Sequence, residues 1–146
     1  MAETKVGAVE LSTSAITLGY AQITSSFTST ATPAFTNVTS LSVTVTIPTG
    51  GRRVKITAGG QYISSTESAG QSTQLDIYDT TASAEIGGIL TTVVTGGYGS
   101  NATCIASHTP AAGSRTYQVR IQQSAAGTMT LAATATTPAF ILVELI

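Results

Sequence analysis

The sequence predicts a single all-β domain, a sandwich or barrel. Three observations predict it. Apolar residues recur at every second position in run after run, which is the spacing of a half-buried strand. Turn residues punctuate those runs at short intervals. No stretch places apolar residues at helical spacing with helix-forming residues between them.

The clearest run is 41–47, where Leu41, Val43, Val45 and Ile47 alternate with serine and threonine. It stops at Pro48, Thr49, Gly50 and Gly51, a turn composition. Residues 53–58 alternate again, with Val54 and Ile56 inward, and Gly59-Gly60 breaks the run. The two runs are expected to form an antiparallel hairpin. A short strand follows at 61–65, and residues 74–78 place Leu75 and Ile77 on one face. Residues 86–94 form a longer apolar strand with a bulge or kink at Gly87-Gly88. A glycine-rich loop at 96–101 leads to a strand at 102–108. Residues 115–122 put Tyr117, Val119 and Ile121 inward, and 128–133 alternate once more. The last strand, 140–146, is continuously apolar except for Glu144, so it is expected to be central to a sheet or buried on both faces. Near the start, 18–24 is a first strand and 25–36 is a long loop or weak edge strand. These add up to roughly eight to ten strands.

Composition narrows the function. The chain has 146 residues, enough for one domain with a real core. Only 9% of residues are charged and 42% are hydrophobic, so a disordered chain is not expected. The positive residues are Lys5, Arg52, Arg53, Lys55, Arg115 and Arg120, too few and too scattered to neutralise a nucleic-acid backbone. No apolar run is long enough for a transmembrane helix, and the first twenty residues do not read as a signal peptide. Synthesis in a cytoplasm, with neither nucleic acid nor membrane as partner, is therefore expected. A surface this poor in charge defends weakly against association, and part of it is expected to be covered by a partner.

Chemistry is scarce. One cysteine, Cys104, and one histidine, His108, supply neither a disulfide nor a zinc tetrad. Cys104 reads as a small buried residue and His108 as a strand-end residue. The glycines around Tyr98 lack the lysine and the following helix of a phosphate loop. Seven acidic residues fall in no recognisable catalytic or calcium pattern, although Asp76, Asp79 and Glu85 lie close in sequence. No enzyme, metal or cofactor is expected. Arg52, Arg53 and Lys55 form the one basic cluster, read either as a solvated sheet edge or as a contact to an acidic partner, and Tyr98 is a candidate contact residue in an exposed loop.

Five segments together carry a resemblance: LGYA at 18–21, LSVTVTIP at 41–48, GRRVKI at 51–56, HTPAAGSRTY at 108–117 and ATTPAFILVE at 135–144. In these the chain resembles small virion proteins common in bacteriophages of actinobacteria, whose domains are jelly rolls of the C1q and tumour-necrosis-factor type. The resemblance covers nearly everything after residue 17. It implies an antiparallel jelly-roll β-sandwich over residues 18–146 and a homotrimer packed through an apolar sheet face. It also implies a non-enzymatic role on the virion surface. The foremost expectation is a head decoration protein bound to the major capsid protein, and the alternative is a tail-tip or fibre protein binding the host cell. One departure is the modest number of aromatic residues, with no tryptophan. Residues 1–17 are read as an extended arm, with Val6, Val9, Leu11 and Ile16 able to pair as an added strand on the capsid.

Overall fold

The computed structural model describes residues 16–66, 72–92 and 100–146, with no account of the side chains of 89–92 and 101. Ten strands run through them: β1 (Ile16–Ile23), β2 (Phe27–Ser29), β3 (Thr36–Ile47), β4 (Val54–Ser65), β5 (Ser72–Asp79), β6 (Ala84–Thr92), β7 (Ser100–His108), β8 (Gly113–Gln123), β9 (Met129–Leu131) and β10 (Ala139–Leu145). All pairings are antiparallel. One sheet runs β1-β10-β4-β7, and β9 and β2 extend it at one end. The other runs β3-β8-β5-β6. The chain crosses repeatedly between the two, and the fold is a jelly-roll β-sandwich.

Alternation sets which side chains fill the space between the sheets. Leu41, Val45, Ile47, Leu75, Ile77, Tyr117, Val119 and Ile121 come from the second sheet. Val54, Ile56, Ile63, Leu131, Ile141 and Val143 meet them from the first, and all are essentially inaccessible. Each such side chain contributes about 1.5–3 kcal/mol through burial. The edges of the sandwich close where β1 lies against β3 and β6 against β7.

Three expectations are corrected. Residues 41–47 and 53–58 do not form a hairpin: β3 pairs with β8, while β4 pairs with β7, β10 and β9. Gly50 and Gly51, both at positive φ, carry the chain from one sheet to the other. Alternation identifies the buried face of a strand and is silent about its neighbours. Gly59-Gly60 does not break a strand either, because β4 runs unbroken through both. At this point β4 changes partners along one edge, from β10 at Val54–Gly59 to β9 at Ile63–Ser65. A Cβ on Gly59 would stand 2.5 Å from the Ala102 carbonyl oxygen, so close strand approach selects glycine there. Gly59→Ala is expected to lose about 1–3 kcal/mol of stability, measured by urea unfolding. Finally, Ile16 and Thr17 belong to β1, opposite Leu145 and Glu144, so the sheet takes in two residues of the expected arm, and Ile16 pairs within its own chain.

Two strands are irregular, the first where the sequence predicts it. The register of β6 shifts between Gly87 and Glu85, beside the glycine pair. β3 bulges between Asn37 and Ser42, with Ser40 at φ 66°. Val38 and Leu41 have carbonyls that accept from the Gln118 carboxamide nitrogen at 2.9 and 3.0 Å, so the bulge leaves neither unsatisfied.

Candidate functional site

β10 lies in the middle of the first sheet, as its apolar run predicts, and its inward residues Ala139, Ile141, Val143 and Leu145 are buried. Its outward residues, Phe140, Leu142 and Glu144, are only half-buried. Among the described residues, β10 therefore has two largely apolar sides, one of them fully buried and the other only half-buried.

The half-buried side is part of a wider surface. Register places Tyr20, Leu142, Thr57 and Ile105 in one row across β1, β10, β4 and β7. Four strands at the usual spacing make that row about 14 Å wide. Ile105 is 64% exposed and Tyr20 51%. The next row holds Gln22, Phe140, Gly59 and Thr103. Tyr20 stacks on Phe140 with ring centroids 6.3 Å apart, and its hydroxyl donates to Gln22 Oε1 at 2.7 Å. Neither row contains a charge. Thr57 and Gly59 keep the middle of the surface low between Ile105 and the Tyr20–Phe140 pair.

Charges enter only at the rim. Lys55 pairs with Glu144 at 2.8 Å, directly across from it on β10. Arg53 donates to Ser107 Oγ at 2.9 Å, and Arg52 is exposed. Of the basic cluster, then, Lys55 is neutralised within the chain. Arg53 lies one row beyond Lys55, with its guanidinium reaching Ser107, and Arg52 stands at the turn before β4. Ile16 is exposed at the start of β1. Val6, Val9, Leu11 and Tyr98 lie outside the described residues. Ile105, Tyr20 and Leu142 escaped the sequence reading. The available signal was a large apolar side chain on the polar side of an alternating strand, between Thr103 and Ser107.

The outward face of the second sheet differs in kind. Asp76 is fully buried beneath Arg120, which donates from Nε to Oδ1 at 3.0 Å and from Nη2 to Oδ2. The Arg120 guanidinium lies between the rings of Tyr78 and Phe35, 3.7 and 4.4 Å from their centroids. Burial pushes the Asp76 carboxyl above its usual range, and Arg120 opposes that shift. Asp79 accepts from the Thr81 and Ala82 amides at 2.9 and 3.0 Å and meets Arg115 at 3.3 Å. Both aspartates face arginines.

His108, at the end of β7, reaches across the sandwich: its Nε2 lies 3.0 Å from Tyr117 Oη on β8. Burial lowers the imidazole's pKa and raises the phenol's to about 12. The folded chain thus favours neutral His108. Stability is full above the ordinary histidine value of about 6.5 and falls as pH drops from there towards the lowered folded value, then levels. Thermal melts from pH 7.5 to 5 are expected to show this fall, and His108→Gln to reduce it. Cys104 is buried, its thiol raised to about 11, and is poorly suited to act as a nucleophile.

Among the described residues no helix is long and apolar enough to cross a membrane. No protein-family model matches the chain, and no curated protein is detectably similar to it.

Proposed function

We propose that this chain is a non-enzymatic structural protein of a bacteriophage particle. In this reading it is a head decoration protein that binds the major capsid protein from outside and cements neighbouring capsomers as a homotrimer. The observation that carries the proposal is the pair of uncharged rows on the outward face of the first sheet, with Tyr20, Phe140, Leu142 and Ile105 exposed or half-exposed in them. Contiguous apolar surface of this kind marks an association site. Copies of the chain meeting through it would bury the second apolar side of β10. The antiparallel β-sandwich is the kind of fold that the resemblance implies.

The mechanism is additive. A protein that binds only the assembled shell stabilises that shell by mass action, and many copies multiply a modest local affinity. Burial of apolar surface supplies the trimer, and the remaining surface is free for the capsid. Four charges of the second sheet are engaged in pairs, Asp76 with Arg120 and Asp79 with Arg115, which suits a structural role.

The test uses phage heads assembled without this protein. Added protein is expected to co-sediment with them to saturation and to raise the temperature at which they rupture. Protein that stays in the supernatant at every concentration contradicts the reading.

A further inference from the structure

The second sheet, on the far side of the sandwich from the apolar face, carries a concavity that the assembly reading does not use. Its volume is about 180 Å³, and Pro33, Ser72, Gln74, Gln122, Gln123 and Ser124 line it. At a water's share of about 30 Å³ this is room for roughly six waters, on the scale of a single sugar ring.

Its walls are held from behind. Gln123 is buried, with its carboxamide nitrogen donating to the Gly127 carbonyl at 2.8 Å and its oxygen accepting from Ser65 Oγ at 3.2 Å. Thr32 Oγ1 donates to the Gln123 carbonyl at 3.2 Å, and Phe35 is pinned on Arg120, so the segment bearing Pro33 is tied down on both sides. Ser72 and Ser124 are joined by two hydrogen bonds of 2.9 Å.

Gln74 and Gln122 are different. They face each other across β5 and β8, and among the described residues neither carboxamide has a hydrogen-bond partner within the chain. Each offers an N–H₂ and a carbonyl oxygen. A Cβ on Gly88 would stand 3.2 Å from Gln74 Nε2, so the glycine leaves that amide its place. A hollow lined, among the described residues, by no charged side chain, with two free carboxamides side by side and a proline wall, matches a neutral ligand rich in hydroxyls. Vicinal hydroxyls both donate and accept, as a carboxamide pair requires, and the ring's apolar face would lie on Pro33.

We infer that this hollow binds one neutral sugar residue through Gln74 and Gln122. The site does not depend on the head-assembly reading.

The experiment is a titration of isotope-labelled full-length protein with N-acetylglucosamine and, separately, galactose. The side-chain amide signals of Gln74 and Gln122 are followed by two-dimensional NMR. A ligand of about a dozen heavy atoms at ordinary efficiency gives a dissociation constant on the order of millimolar. The expected result is saturable shifts at both glutamines with at least one sugar. The double variant Gln74→Ala/Gln122→Ala is expected to lose them while the backbone signals of Leu75 and Ile121 keep their positions. Glycerol serves as the control. Shifts that glycerol reproduces, shifts that never saturate, shifts that survive in the double variant, or none with either sugar would each overturn the inference.

Discussion

Replacing Ile105 with aspartate is expected to turn an assembly of three chains into a folded single chain. Ile105 is the most exposed large apolar residue described, at 64%, so its replacement leaves the core intact. The row it ends contains Leu142 and Tyr20 and no charge to pair with a carboxylate. If copies meet through this face, aspartate must lose its hydration without compensation, which costs several kcal/mol. Each 1.4 kcal/mol is about a tenfold change in affinity, so dissociation constants should rise by roughly a hundredfold or more. Sedimentation equilibrium at micromolar concentration is expected to give three times 14.7 kDa for the unaltered protein and one chain for Ile105→Asp. Thr46→Asp, on the outward face of β3, is the control and is expected to keep the assembled mass. An unaltered protein that sediments as one chain would remove the trimer.

The second large effect concerns stability. Arg120→Ala leaves the Asp76 carboxylate buried with neither of its two guanidinium bonds and removes the cation held between Tyr78 and Phe35. Breaking a buried pair by removing one partner typically costs about 3–5 kcal/mol. For a domain of this length that is a melting temperature lower by on the order of 10 °C. The sign with pH follows from Asp76. Its pKa is already raised by burial, and loss of Arg120 removes what held it down, so it rises further. The penalty is then greatest at neutral pH, where the unfolded chain keeps a solvated carboxylate. It shrinks as pH falls through the raised folded value, where Asp76 takes up a proton. Melts of Arg120→Ala and the unaltered protein are expected to converge on acidification, and Arg120→Ala/Asp76→Asn is expected to recover part of the loss at pH 7. An equal deficit at every pH would mean that lost ring packing, not the stranded carboxylate, dominates.

How far these features were legible in the sequence depends on what period-two spacing encodes. It marks faces well. Leu41, Val45 and Ile47, Leu75 and Ile77, and Tyr117, Val119 and Ile121 all point where their alternation puts them. It does not mark neighbours, so two successive runs separated by Pro48 and three further turn residues read as a hairpin when they lie in different sheets. Glycine is ambiguous for a related reason. Gly59 looks like a stop, yet it stands where the Ala102 carbonyl leaves no room for a side chain.

The candidate face was half legible. The continuous apolar run of β10 predicts a strand central to its sheet, and β10 lies between β1 and β4, with its outward side only half-buried. Ile105 stayed hidden because its own strand has small inward residues, Ala102, Cys104 and Ala106, against which one large residue on the polar side is easily read as core. The hollow on the second sheet could not be read at all. Gln74 and Gln122 are 48 positions apart, and only the pairing of β5 with β8 makes them neighbours.

The central claim is that this protein is a component of the outer surface of a phage head. Immunogold labelling of intact virions, with antibody raised against the purified chain, tests it most directly. Label distributed in many copies over the head is the result expected. Label confined to the tail tip, or absent from particles in which the chain is detected only in the host lysate, would contradict it.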